Sequence, residues 1–223
     1  MFLPTLALWD LDGTIADTEP INMRAHQLVV ESLGAHCDVE ALMLCAGQSL
    51  QKVSMGLVEK HHLNVDYETY RGRWLEVRHE LVERDGVRFM PGAAELLTAL
   101  QRKRVVQGLV TASWRVNMDH VVQKLRIKHY FMRMVCRENV QKSKPDPEAY
   151  LLAHAQFGHM KHTVAFEDSN SGTQAARAAG LTVIGVRTAQ NTAQALESAH
   201  AIVDLTQTQH VLEVISELMT RRK

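Results

Sequence analysis

Apolar residues along this chain gather in short unbroken runs, at 5–11 (TLALWDL), 105–111 (VVQGLVT), 163–167 (TVAFE) and 182–186 (TVIGV), with a weaker run at 201–205. Runs of this length, closed by glycine or polar residues, predict buried strands. Between them, apolar positions recur at helical spacing over 93–103, 117–126, 147–157 and 172–179. Asp146 and Pro147 are placed to start the third of these helices and Gly158 to end it, while Gly180 ends the fourth. Strands alternating with helices predict an α/β fold, a doubly wound parallel sheet.

That rhythm breaks between Asp17 and Arg88, where helix patterns at 19–33, 39–46, 49–62 and 66–84 follow one another without a strand. The expectation is a core of residues 1–16 and 89–223 with an inserted helical unit over 17–88. Tyr67, Tyr70, Trp74, Val77 and Leu81 share one face of the last inserted helix, which is the spacing of a packed stripe. The two short connections, Thr14 to Asp17 and Phe89 to Gly92, are hinge candidates.

Composition narrows the function. The 223 residues carry 25 basic and 25 acidic side chains, so no broad field favours nucleic acid or an anionic membrane. No apolar stretch reaches spanning length, and Asp10 and Asp12 interrupt the first run before it could serve as a leader, so a cytoplasmic protein is expected. Cys37, Cys45 and Cys136 are too scattered for a disulfide framework or a thiolate metal site. A neutral chain with a self-contained inserted unit is consistent with a monomer that handles a small ligand.

Chemistry gathers where the apolar runs end. In Asp10-Leu11-Asp12-Gly13-Thr14 one residue separates two acids, so strand alternation sends both carboxylates to the same side. One carboxylate can attack phosphorus, and the other can protonate a leaving oxygen and then activate water. In Val110-Thr111-Ala112-Ser113 a hydroxyl and backbone N–H groups could hold phosphoryl oxygens, although a helix cap alone would explain them. Lys144, in Ser143-Lys144-Pro145-Asp146-Pro147, could neutralise a nucleophile and a transferring phosphoryl group, or be an ordinary surface lysine. Glu167 and Asp168 close another strand run. An oxygen ligand from here and one from Asp10 would make a sufficient Mg²⁺ site, and helix-terminal charge pairing is the plainer alternative.

Together the four segments resemble the haloacid dehalogenase-like hydrolases, whose order is DxD, Ser/Thr, Lys, then an acidic pair; the insertion is similar to that family's C1-type cap. The resemblance implies a Rossmann-like core and an aspartyl-phosphate phosphatase, with Asp10 as nucleophile and Asp12 as general acid/base and backbone-carbonyl ligand to magnesium. Thr111 would bind phosphate, Lys144 would clamp charge, and Asp168 would complete the metal site with Glu167 as helper. Asp12 disfavours dehalogenation, since the dehalogenases lack an acid there.

If the insertion is such a cap, Asn22, Gly47, Gln48 and Ser49 are candidates for reading the leaving group, with Ala112, Ser113 and Arg115 on the core side. Mutase-like relatives often carry a basic residue beside the cap glycine loop, and a His where this chain has Asn22. The loop here is Gly47-Gln48-Ser49. Both departures favour a phosphatase acting on a small phosphorylated metabolite over a β-phosphoglucomutase-like mutase. A further alternative, a non-enzymatic module similar to a response-regulator receiver, would need neither Asp12 nor the insertion.

Overall fold

A computed structural model describes residues 1–38, 42, 48–191 and 194–221. The helix expected over 39–46, apart from Leu42, and Gly47 lie outside the described residues. The chain divides into two compact units, Met1–Asp17 with Arg88–Lys223 and Thr18–Val87. Among the described residues no helix is long and apolar enough to cross a membrane.

In the first unit six parallel strands form one sheet. They are β1 (Leu6–Trp9), β4 (Val106–Val110), β5 (Arg133–Val135), β6 (Thr163–Glu167), β7 (Thr182–Val186) and β8 (Ala201–Val203), in the order β5-β4-β1-β6-β7-β8. A separate antiparallel ribbon pairs β2 (Ala16–Asp17) with β3 (Arg88–Phe89) at the two chain crossings into the second unit. Helices α4 (Ala93–Arg102), α5 (Arg115–Lys124), α6 (Glu148–Gln156), α7 (Asn170–Ala178) and α8 (Thr208–Arg221) complete this unit. This is the doubly wound α/β core that the strand and helix pattern predicts.

The central strands are apolar because they are covered on both faces. Every residue of β1 is fully buried, and so are most of β6 and β7. Leu6, Leu8, Val110, Ala165 and Val183 join Tyr150 and Ala176 in one cluster. Trp9 stacks on Phe166 with centroids 4.1 Å apart. Its indole N–H donates to Gln107 Oε1 at 2.9 Å, and Gln107 Nε2 donates to the Leu97 carbonyl at 3.1 Å. The one buried amide of β4 is thereby satisfied.

Connections leave β1 toward β4 and β5, whereas β6 leads away toward β7 and β8, so the strand order reverses between β1 and β6. In open α/β sheets that reversal is where ligands bind. Register fixes what meets there, since Trp9 lies opposite both Leu109 and Phe166.

The second unit holds α1 (Glu19–Ser32), α2 (Leu50–Lys60) and α3 (Tyr67–Asp85). Met23, Val29, Val53, Leu57, Tyr70, Trp74 and Leu81 pack together in it. Two positions of the expected α3 stripe, Tyr67 and Val77, are only partly buried. The stripe instead includes Arg78, which is 1% exposed, donates from Nε to Asn22 Oδ1 at 2.8 Å and lies 5.7 Å from the Trp74 ring. A cation on a packed face is tolerable when it is hydrogen-bonded, and the helix period cannot reveal such a partner.

His26 is buried in this core with Nδ1 3.1 Å from the Tyr70 hydroxyl. Burial pushes its pKa from 6.5 down to about 4. The unfolded chain therefore binds this proton more readily, so the neutral imidazole's contribution is present above 6.5 and is lost as pH falls toward about 4. The full loss is about 3 kcal/mol. Thermal melts across that window should show a shallower decline for His26→Gln than for the wild type; parallel declines would contradict the assignment.

Candidate active site

The parallel register brings four chain segments to one end of the sheet. Asp10 follows β1 and its N–H donates to the Phe166 carbonyl at 3.0 Å, which sets it beside Glu167. Lys144, from the loop before α6, reaches between them with a side chain 4% exposed. Its ammonium donates to Asp10 Oδ1 at 2.6 Å, Glu167 Oε1 at 2.6 Å and the Val110 carbonyl at 2.9 Å. All three ammonium hydrogens have acceptors.

Asp10 carries the cost of this crowding. Burial raises its carboxyl well above the usual range, Lys144 opposes that, and Glu167, Asp168 and Asp12 push it further up. Lys144 shows the complementary effect, for its burial alone would lower the pKa, yet Asp10 and Glu167 hold it above the ordinary lysine value. A single ammonium thus faces an excess of negative charge.

Asp12 is held separately. Ser113 Oγ donates to its Oδ2 at 2.6 Å and Thr111 Oγ1 to the same oxygen at 3.3 Å, while the Ser113 N–H donates to Thr111 Oγ1 at 3.0 Å. Ala112 and Arg115 are exposed, and the Arg115 N–H starts α5 against both Glu138 oxygens at 2.9 Å.

Glu167 is fully buried and both its oxygens accept hydrogen bonds. Oε1 takes the Tyr150 hydroxyl at 2.6 Å besides Lys144, and Oε2 takes Ser169 Oγ at 3.3 Å. Asp168 is half-buried and its Oδ1 accepts from Thr14 Oγ1 at 2.9 Å. Gly13, at φ +81°, leaves room for it, because a Cβ there would lie 2.2 Å from Asp168 Oδ2.

Asp10, Glu167 and Asp168 each offer an oxygen within 4.8 Å of the others, a cluster able to hold a divalent metal ion. Hard oxygen donors and surplus negative charge suit such a cation.

Asn22, Gln48 and Ser49 belong to the second unit. Asn22 gives its side-chain oxygen to Arg78 and its backbone carbonyl to Trp74 Nε1, and Gln48 is exposed. Ser49 caps α2, accepting from the Lys52 N–H at 3.3 Å, which is the role of a plain helix start.

The sequence reading assigned no role to Tyr150, Thr14, Gly172 or Asn191. Thr14, Gly172 and Tyr150 each close a motif stretch, DLDGT, FEDSNSG and KPDPEAY, without a role that the residue types reveal; nothing in the spacing signals Asn191.

The sequence pattern described as "Haloacid dehalogenase-like hydrolase" matches residues 7–186. The chain is 29% identical to the phosphorylated carbohydrates phosphatase of Thermotoga maritima over 95% of its own length and 98% of that protein's. It is 30% identical to the fructose-1-phosphate phosphatase of Escherichia coli strain K12, over 81% and 95% of the two lengths. The fold superposes on the crystal structure of β-phosphoglucomutase from Clostridium difficile with a TM-score of 0.80 at 21% identity, covering 99% of each chain. The chain belongs to the haloacid dehalogenase-like hydrolase family, as an enzyme of its phosphoric monoester hydrolase class.

Gly172 gives a local test. In a helix, Gly→Ala ordinarily stabilises by about 1 kcal/mol. Here a Cβ would lie 1.8 Å from Glu167 Oε2, whose carboxylate is pinned by Lys144, Tyr150 and Ser169. Gly172→Ala should therefore reverse the sign, costing about 1–3 kcal/mol in denaturant unfolding. A stabilised variant would show that Glu167 is free to move.

Proposed function

We propose that this enzyme is a magnesium-dependent phosphatase of small phosphomonoesters, with a sugar phosphate as the leading substrate class, acting through an aspartyl-phosphate on Asp10. The observation that carries the reading is Lys144, which bridges Asp10 and Glu167 while Thr111 and Ser113 hold Asp12 nearby. The names borne by the two phosphatase relatives support the substrate class.

Asp10 attacks phosphorus in line, and the Lys144 ammonium offsets charge on both nucleophile and phosphoryl oxygens. Asp12 gives its proton to the leaving alcohol, then takes one from the water that hydrolyses the aspartyl-phosphate. Thr111 and the backbone N–H groups after Asp10 and Thr111 hold the phosphoryl oxygens. Positioning supplies most of the acceleration, because phosphoryl transfer leaves the protein little covalent work.

Asp10, Asp168 and the Asp12 carbonyl would hold Mg²⁺, which would supply positive charge for the phosphate. Glu167, whose oxygens already accept hydrogen bonds, serves mainly to hold Lys144 and would be a direct or water-mediated helper to the cation. The inserted unit acts as the cap that reads the leaving group, the part expected of Asn22, Gly47, Gln48 and Ser49. The enzyme is cytoplasmic and works as a monomer.

A screen of sugar phosphates, phosphoglycolate and nucleotides for phosphate release should find its best substrates among the sugar phosphates. Asp10→Asn should abolish turnover, and retained phosphatase activity would remove the nucleophile assignment. Asp12→Asn should slow turnover by about 10²–10⁴-fold. Chelation should abolish activity and added Mg²⁺ restore it; undiminished activity in chelator would remove the metal. Free sugar with inorganic phosphate, rather than an isomeric sugar phosphate, separates this reading from a mutase.

A further inference from the structure

Asp168 is fixed from two directions. Its carboxylate accepts from Thr14 and lies against Gly13, which leaves no space for a side chain. Its backbone is held by Asn191, a residue in the loop after β7 and outside the four motifs. Asn191 Nδ2 donates to the Asp168 carbonyl at 2.9 Å and to the Val186 carbonyl at 2.8 Å, so one amide ties the ends of β6 and β7 together. The same side chain accepts the Thr188 N–H at Oδ1, 3.1 Å away, and the Asn191 N–H returns to Thr188 Oγ1 at 3.2 Å. Both amide hydrogens and the amide oxygen are used, which fixes the orientation of the group.

We propose that Asn191 is a positioning residue for the divalent cation: it sets the backbone of Asp168 so that the carboxylate is presented toward Asp10. This inference rests on the metal reading above. Thr14 and Gly13 constrain the Asp168 side chain, and the Asn191 amide holds its backbone carbonyl just beyond the strand. Partners that orient a ligand commonly govern metal affinity by about 10–100-fold. A purely structural staple would change stability and leave affinity alone.

The test is direct calorimetric titration of the full chain with Mg²⁺, alongside Mg²⁺ activation curves, for Asn191→Ala and Asn191→Asp. The Asp variant keeps the acceptor for the Thr188 N–H and loses both donors. Both should weaken Mg²⁺ binding by about tenfold or more, with turnover largely recovered at saturating Mg²⁺. Wild-type affinity in either variant overturns the proposal.

Asp168→Asn separates the two layers. If it binds Mg²⁺ as the wild type does, the metal reading fails and this inference with it; if it loses Mg²⁺ while the Asn191 variants do not, only this inference fails. Should the Asn191 variants not fold, hydrogen exchange on the wild type decides. Coupling is reciprocal, so Mg²⁺ must slow exchange of the 187–191 amides, and unchanged exchange overturns the proposal.

Discussion

Everything at this site depends on one buried ammonium. Lys144 Nζ sits 2.6 Å from an oxygen of Asp10 and 2.6 Å from an oxygen of Glu167, and those acids come from adjacent strands. Without it two carboxylates would be forced together away from water, an arrangement that neutralises one of them. With it they remain close, although burial first, and then Glu167, Asp168 and Asp12, still push the Asp10 carboxyl up against the pull of Lys144. Acids in surplus over cations would repel a phosphate dianion. The proposed divalent cation fits because it supplies the missing positive charge where Asp10 and Asp168 converge.

The sheet makes this charge arrangement reproducible. Parallel strands deliver their carboxyl ends to one edge, and the one-to-one register of β1 with β4 and β6 decides which residues meet. Trp9 sustains that register, for its ring stacks on Phe166 while its N–H bonds Gln107 of β4. The residues immediately before Asp10 and Glu167 therefore touch each other, which limits any slip between the two acids.

Legibility in the sequence followed burial. Strands β1, β4, β6 and β7 showed as apolar runs because both faces are covered. Strand β5 was missed: it is three residues long, lies at the sheet edge and begins with exposed Arg133. The β2/β3 ribbon, two residues per strand, was too short to have a period. Three of the four motifs lie at strand ends, where polar residues interrupt apolar runs, so Asp10, Thr111 and Glu167 stood out, whereas Lys144 sits in the loop before α6 and was marked only by its place in the motif order. Tyr150 and Asn191 did not, because each acts through a partner 17 or 23 residues distant across the sheet. Tyr150 looked like one more apolar position of α6, and Asn191 like loop composition. Arg78 was hidden for a similar reason, since its Asn22 partner lies 56 residues away on another helix.

The two hydroxyls on Asp12 are not equivalent. Ser113 donates at 2.6 Å, a short bond, whereas Thr111 at 3.3 Å lies at the weak end of hydrogen-bond geometry. Under the proposed mechanism a phosphoryl oxygen competing for one of them would meet less resistance at Thr111, leaving Ser113 to keep Asp12 in place. The Ser113 N–H, donating to Thr111 Oγ1, restrains the oxygen without consuming its proton. In the proposed mechanism a single TAS tripeptide would thus divide two duties, phosphate binding and placement of the acid/base, between hydroxyls two residues apart on the same strand end.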